Sequence, residues 1–356
     1  MKDVKVDLGQ RSYRIVIDSG LLKDLPSVFS ELNRGQKWIV ISQESIMKLY
    51  GYKLLMDMKE EGYNIDYISL PIGEPAKSFN EYQSIINQMI DLGCDRSTTI
   101  ISLGGGVVGD VSGFVAATFL RGIKYVQIPT TLLAMVDSSI GGKTGLNILK
   151  GKNLVGAIYQ PKLVLVDPIF LNSLPKKEVI SGIGEIIKYG AIFDAVFLEK
   201  ISKWLDEIES FPFLDAISRS VEIKAEIVSR DEKESGLRRI LNFGHTIGHA
   251  IEAHLGYGKI RHGEAIALGM KCSGWISNKL GLLSKYEKET LNNIINKLPI
   301  ANIGQIQADK LMPYIKRDKK SDRGVLKFVV LSKLGAAKVT TNVSKELIQS
   351  SLKVIN

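Results

Sequence analysis

The sequence predicts an α/β domain with a largely parallel sheet, followed by a mainly α-helical domain. Up to about residue 170, short β-branched runs alternate with amphipathic stretches, as in strand–helix–strand units. Beyond "PIFLNSLP" (168–175) that alternation gives way to long segments of helical periodicity. A strand, a glycine turn and a helix run together in "STTIISLGGGVVGDVSGFVAATFLRG" (97–122), an arrangement that turns a helix N-terminus toward a phosphate.

In chain order, "MKDVKVDLGQRSYRIVIDSG" reads as a charged strand and not a signal peptide. "KWIVIS" (37–42), "NIDYISL" (64–70), "STTIISL" (97–103), "KYVQIP" (124–129) and "KLVLVD" (162–167) read as strands, with helix-like segments such as "SFNEYQSIINQMIDLG" between several of them. Helices are expected over 177–194, 196–207, 214–230, 244–255, 262–281 and 284–297. A strand "VLKFVVL" (325–331) and a helix "SKELIQSSLKVI" close the chain. The change of character near residue 172 divides the chain into 1–172 and 173–356. A crevice between two such domains is a common place for a small-molecule site.

Composition narrows the class. Hydrophobic content of 45% and charged content of 24% suit a globular protein with a sizeable core, and no apolar run reaches membrane-spanning length. Cys94 and Cys272 lie far apart among apolar residues, so buried thiols in a reducing compartment are expected, with the cytoplasm as the default location. Two cysteines cannot make a Cys-type zinc site. The net charge of +9 is scattered, and its densest cluster, "IKRDKKSDRG" (315–324), also carries acids. Phosphorylated or acidic small molecules explain this bias at least as well as nucleic acid does, and no aromatic–basic interleaving is present to stack bases.

Gly104, Gly106 and Gly109 match G-x-G-x-x-G after a strand and at the start of a helix. The match is incomplete, because the turn comes several strands into the sheet and no acid ends the next strand. A tight turn with close helix packing would also place these glycines. "PTTLLAMVDSSIGGKTGLNILKGKNLVG" (129–156) reads as a second phosphate-friendly loop, with paired threonines, glycines, Lys143 and Lys152. Two such loops in one α/β domain favour a dinucleotide.

All four histidines, His245, His249, His254 and His262, fall within one short stretch. His245 and His249 are spaced i, i+4, which puts both imidazoles on one helix face. Thr246 follows His245, so the Glu of H-E-x-x-H is missing. A further metal ligand would be a carboxylate. Glu185 qualifies, standing in the apolar helical stretch "SGIGEIIKYGAIFD", although Lys188 at i+3 could simply be its ion-pair partner. Lys224, Arg238 and Arg239 approach the histidines along the chain and suit a phosphate or carboxylate on the substrate.

Taken together, "GGGVVGDVSGFVAATFLRG", "QIPTTLLAMVDSSIGGKTGLN", "KNLVGAIYQP", "GEIIKYG", "LNFGHTIGHAIE", "HGEAIALGM" and "RDKKSDRG" resemble the 3-dehydroquinate synthase family of sugar phosphate cyclases, from about residue 65 to 335. The resemblance implies a Rossmann-like N-terminal α/β domain, a mainly helical C-terminal domain that binds metal and substrate, and a homodimer. It implies catalytic NAD, a divalent metal (zinc or cobalt) and conversion of 3-deoxy-D-arabino-heptulosonate 7-phosphate to 3-dehydroquinate and phosphate. Its metal ligands map onto Glu185, His245 and His262, leaving positions open for two substrate hydroxyls. His249 would then face the substrate, and His254 has no role. Asp137, Lys143, Asn153, Lys188, Lys224, Arg238 and Asn242 would line the substrate pocket with Glu234 and one lysine of Lys319 and Lys320, while Arg121 would reach the phosphate across the dimer.

For NAD, the resemblance implicates Gly73, Glu74 and Lys77, and then the glycine turn Gly104, Gly105, Gly106, Val107, Val108, Gly109 and Asp110. Thr130, Thr131, Asp137, Lys143 and Lys152 follow, and lastly Phe170, Leu171, Asn172 and Ser173. Where the family commonly places an Asp that holds the adenosine ribose, this chain has Gln43. Another sugar phosphate cyclase, making 2-deoxy-scyllo-inosose or epi-valiolone, shares this cofactor and metal. A metal-dependent polyol dehydrogenase would instead release NADH. Asn242, His249 and the "RDKK" lysines favour dehydroquinate synthase.

Overall fold

A computed structural model describes residues 1–29, 36–149, 151–256, 258–321 and 326–355; the side chains of 24, 26, 27 and 316–321 fall outside that description. The chain forms two compact units, Met1–Leu174 and Pro175–Asn356.

The first unit carries strands β1 (Lys2–Val6), β2 (Tyr13–Ile17), β3 (Lys37–Gln43), β4 (Asn64–Leu70), β5 (Thr99–Gly104), β6 (Lys124–Pro129), β7 (Lys143–Ile148), β8 (Gly151–Ile158) and β9 (Leu163–Val166). Its helices are α1 (Leu25–Val28), α2 (Glu44–Ile46), α3 (Tyr52–Glu60), α4 (Phe79–Asp91) and α5 (Gly106–Thr118). Seven strands make one sheet in the order β1-β2-β9-β6-β5-β3-β4, parallel throughout except for β1 against β2. β3 and β5 are buried along nearly their whole length, which explains why they read as unbroken apolar runs. One face packs Ile39, Ile41, Ile68 and Ile100 against Ile85 and Met89 of α4 and Val108, Val111 and Val115 of α5. The chain runs outward from β3 to β4 and returns to β5 on the other side of β3. The glycine turn thus sits where strand order reverses, outside the C-terminal strand ends, which is where open α/β sheets hold ligands.

The stretch 129–156 corrects the expectation of a loop. It folds into a short π-helical turn (Ala134–Ser138) and the antiparallel hairpin β7–β8, which packs on α5. The cause lies in its glycines. A Cβ on Gly156 would overlap the Thr144 carbonyl, and one on Gly113 of α5 would overlap the Thr144 side chain. What reads as a loop is a closely packed hairpin.

The second unit holds α6 (Lys176–Phe193), α7 (Ala195–Trp204), α8 (Phe213–Arg230), α9 (His245–Leu255), α10 (His262–Lys279), α11 (Lys285–Asn296), α12 (Ala308–Ser321) and α13 (Lys345–Ser351). The hairpin β10 (Phe328–Lys333) and β11 (Ala336–Thr340) interrupts them, its second strand unforeseen in the sequence. No helix among the described residues is long and apolar enough to cross a membrane. Ile247 and Ile251 of α9, Leu268, Cys272 and Ile276 of α10, and Phe328 and Val330 of β10 share a core.

Glycines bring α6, α9 and α10 into backbone contact. A Cβ on Gly263 would overlap the Ser181 carbonyl, one on Gly184 the Gly263 carbonyl, and one on Gly269 the Gly244 carbonyl. The buried Ser181 Oγ accepts from Gly263 N at 3.0 Å, satisfying an N–H that the first turn of α10 leaves without a helical partner. Gly263→Ala is therefore expected to destabilise the protein by about 1–3 kcal/mol or more. Gly274→Ala, on the same helix with its nearest neighbour at 3.1 Å, should fall within about 1 kcal/mol of wild type. Urea denaturation of the two variants checks this.

Candidate metal centre and cofactor loops

His245 is the first residue of α9, after Gly244 in the left-handed conformation (φ 80°), and His249 follows one turn later. His262 opens α10. Their rings meet: the centroids are 5.2 Å apart for His245 and His249, 5.4 Å for His245 and His262, and 5.6 Å for His249 and His262. One nitrogen from each lies within 4.8 Å of the others, a spacing that suits a metal ion. His254 stands apart, edge-on to Tyr314.

Glu185 is fully buried in the middle of α6. Its Oε2 is ion-paired with Lys188. Its Oε1 accepts no hydrogen bond and faces His245 Nε2 at 3.8 Å and His262 Nε2 at 3.6 Å. Glu185 thus gives one oxygen to the lysine and turns the other toward the histidines. His245 Nδ1 lies 3.1 Å from the Phe243 carbonyl, and His262 Nδ1 lies 3.2 Å from Glu252 Oε2. A carbonyl only accepts, so Nδ1 of His245 carries the proton and Nε2 keeps its lone pair. Burial, and then the charges of Lys188, His249 and His262, hold the His245 pKa well below 6.5. Its imidazole is therefore neutral, as a metal ligand must be. A buried carboxylate oxygen without a donor, facing two imidazole nitrogens, fits a divalent cation.

Three almost wholly buried cations ride on α6 and the elements packed against it: Lys188 on α6, Lys224 on α8 and Arg238 in the 3-10 turn Leu237–Asn242. That turn packs against α6 and α8. Asp231 sets the approach to it by accepting from the backbone N–H of Ser235 (2.9 Å), Gly236 (2.7 Å) and Arg238 (3.0 Å). Glu234, in the left-handed region (φ 57°), accepts from Asn242 Nδ2 at 2.6 Å, and Arg238 Nη1 donates to the Glu232 carbonyl at 2.6 Å. The side chains of Lys319 and Lys320 lie outside the described residues.

In the first unit four of the expected cofactor residues, Glu74, Lys77, Asp110 and Lys152, join one network with Asn147 and Asn153. Gly73 (φ 80°) precedes the 3-10 turn Glu74–Ala76. Glu74 accepts from Asn147 Nδ2 (2.6 Å) and Lys152 Nζ (3.0 Å), which outweigh burial and hold its carboxyl below the ordinary range. Lys77 Nζ bonds both Asp110 and Asn153 Oδ1. Burial raises the Asp110 pKa, against the lowering by Lys77. Asn153 takes a left-handed conformation (φ 54°), and its N–H reaches Asn147 Oδ1 at 3.0 Å.

The turn itself is closely packed. A Cβ on Gly105 would press on Thr131, one on Gly106 on Ser138 Oγ, one on Gly109 on Gln127, and one on Gly104 on Val108. Val107 and Val108 open α5 behind it. The buried hydroxyls of Thr130 and Ser138 have no hydrogen-bond partner, while Thr131 Oγ1 accepts from Ala134 N at 3.2 Å. Unmet hydroxyls beside bare backbone fit a polar cofactor. Asp137 lies in the π-helical turn, and Lys143 begins β7 with its side chain exposed. Arg121 ends α5's 3-10 extension in the left-handed region (φ 72°), outside the Glu74–Lys77 network. Gln43 Nε2 donates to the Pro71 carbonyl at 3.1 Å.

Two family models cover the middle and much of the rest of the chain. The one described as 3-dehydroquinate synthase N-terminal matches residues 67–181, and the one described as 3-dehydroquinate synthase C-terminal matches 182–321. A 3-dehydroquinate synthase of Nostoc punctiforme is 42% identical over 357 residues, covering 98% of each chain. This chain belongs to the 3-dehydroquinate synthase family. Among solved structures, a 2-deoxy-scyllo-inosose synthase in complex with carbaglucose-6-phosphate, NAD+ and Co2+ is similar with TM-score 0.88 and 27% identity, covering 99% of both chains. A 2-epi-5-epi-valiolone synthase of Streptomyces hygroscopicus subsp. jinggangensis with NAD+ and Zn2+ bound is similar with TM-score 0.88 and 25% identity, covering 98% of both.

Two residues of this family member escaped the sequence reading. Tyr50 packs edge-on against the buried Phe170 (4.7 Å) and donates to Ser173 Oγ at 2.7 Å. It thereby clamps the 3-10 turn Pro168–Ser173, where Leu171 is buried and Asn172 exposed. Nothing local in the sequence ties Tyr50 to a turn so far along the chain. Glu252 was more accessible, since it lies two helical turns after His245 in "HTIGHAIE".

Asp231 carries a prediction. Burial raises its pKa, but the N–H groups of Gly236, Arg238 and Ser235 outweigh this and hold it at about 2, against an ordinary 3.8. A depressed carboxyl contributes its stability in full above 3.8 and loses it as pH falls through about 2. Asp231→Ala should cost about 0.5–1.5 kcal/mol at neutral pH, since water can reach the N–H groups it leaves. The gap to wild type in denaturation curves should narrow as pH is lowered from above 3.8 towards 2.

Proposed function

We propose that this chain converts 3-deoxy-D-arabino-heptulosonate 7-phosphate to 3-dehydroquinate and phosphate, with Glu185, His245 and His262 holding a zinc or cobalt ion. The convergence of Glu185 Oε1 with two imidazole Nε2 atoms, in a member of this family, carries the reading. The first unit would hold NAD along Gly73–Lys77, the glycine turn, Thr130, Thr131, Lys152 and the turn Phe170–Ser173. Support comes from the NAD+ and the Co2+ or Zn2+ in the two similar cyclases.

When bound, NAD supplies a transient hydride acceptor and the metal a Lewis acid for a secondary hydroxyl. The rest falls to this chain's own side chains. Lys188, Lys224 and Arg238 are fixed cations whose burial strengthens their attraction for an anionic substrate and its leaving phosphate. Asn242, held by Glu234, presents an oriented amide to substrate oxygens. His249, more exposed than its two neighbours, faces the substrate in this reading, and the departing phosphate can itself take the proton. In the first unit, Lys143, Asn153 and Asp137 are the polar residues that the family resemblance assigns to substrate, and Arg121 would serve the phosphate of a second copy in a homodimer. The free thiols Cys94 and Cys272 suit the reducing cytoplasm.

The overall reaction has no net redox change. Phosphate release with NAD far below the substrate concentration, abolished by chelator and restored by Zn2+ or Co2+, is the expected outcome. One NADH released per turnover would instead identify a polyol dehydrogenase, and turnover of another sugar phosphate in place of the heptulosonate a different cyclase. Metal content separates the histidines: His262→Ala should lose the ion, whereas His249→Ala should keep it and lose activity. Loss of metal from His249→Ala would assign the centre to the three histidines instead.

A further inference from the structure

We infer that Glu252 is a positioning residue of the metal centre, setting the tautomer and the donor strength of His262. This rests on the metal reading above. Glu252 projects from α9, the helix that begins with His245, and its Oε2 lies 3.2 Å from His262 Nδ1 on α10. The Glu252 side chain is 14% exposed, so the contact is held largely away from solvent.

The backbone of His262 is anchored, since the next residue's N–H is taken by Ser181 Oγ. Its ring is not fixed by that bond. An imidazole carries one proton when neutral, and its ligand atom is whichever nitrogen lacks it. An ionised carboxylate only accepts, so Glu252 draws the proton to Nδ1 and leaves the Nε2 lone pair in the ring plane, facing Glu185 Oε1 at 3.6 Å.

Charge gives the second reason. Glu185 is the one acidic ligand, and Lys188 on the same helix is ion-paired with it, which offsets its attraction for a cation. His245 leans on the neutral Phe243 carbonyl. Glu252 is a carboxylate that touches a proposed ligand, His262, without being one. Through the hydrogen bond it makes His262 a more basic donor, and it adds negative charge beside a site otherwise neutralised by lysine. An ordinary surface ion pair stitching α9 to α10 would do neither.

The test uses the full-length protein, stripped of metal and then titrated with Zn2+ and Co2+ against a competing chelator. Glu252→Gln keeps an acceptor for Nδ1–H and loses the charge. Glu252→Ala loses both. Outer partners of this kind are worth about 10–100-fold in metal affinity. The expected results are roughly tenfold weaker binding for Glu252→Gln and about 100-fold for Glu252→Ala. The visible spectrum of bound Co2+ should change, and activity of the Gln variant should recover at saturating metal. Metal-free thermal midpoints should move little. Affinity within about twofold of wild type and an unchanged Co2+ spectrum in the Gln variant would overturn the inference, whatever happens to stability. If Glu252→Ala fails to fold, Glu252→Gln decides alone. Should wild type bind neither ion stoichiometrically, the metal reading itself falls, and the inference falls with it.

Discussion

Everything proposed for the second unit depends on three helices touching backbone to backbone. α6, α9 and α10 approach so closely that no side chain fits at Gly184, Gly244, Gly248, Gly263 or Gly269. Each histidine or carboxylate at the centre is the immediate neighbour of one of these glycines: Glu185 of Gly184, His245 of Gly244, His249 of Gly248 and His262 of Gly263. A glycine that admits a neighbouring helix also fixes the direction of the adjacent residue's side chain, because the rigid helix allows it little choice. Packing and ligand geometry are therefore one constraint.

That constraint makes the electrostatics workable. A fully buried carboxylate is tolerable because one oxygen is ion-paired with Lys188 and the other faces a place suited to a cation. His245 stays neutral for the same reason that it is held: burial and surrounding positive charge penalise the imidazolium. Low exposure strengthens the fields of Lys188, Lys224 and Arg238 by limiting competition from water. The scattered +9 of the whole chain says little about them.

The first unit solves a different problem, holding a loop firmly while leaving backbone and hydroxyls available. The β7–β8 hairpin supplies Asn147, Lys152 and Asn153, which bind Glu74 and Lys77 and tie both to Asp110 on α5. Residues far apart in sequence thus form one polar frame next to the glycine turn. Gln43, at the end of the strand beside the glycine-turn strand, is already engaged with the Pro71 carbonyl.

The α/β-then-helical order, the strands of the parallel sheet and the i, i+4 histidine pair were legible in the sequence, because each is written in local periodicity. So was the suspicion attached to Glu185, a lone acid in an apolar helix. The hairpin was not, since its glycines read as a loop until a partner strand and α5 fill the space around them. Nor was the partition of the Glu185 oxygens between Lys188 and the histidines, because i+3 spacing offers the lysine and says nothing of α9 and α10. Tyr50 and its clamp on Phe170 and Ser173 lay beyond any local signal. Sequence alone determined which chemical groups this protein has and on which elements they ride. Tertiary structure decided which atoms face one another, because only packing at glycine contacts sets distances between helices that the chain leaves free.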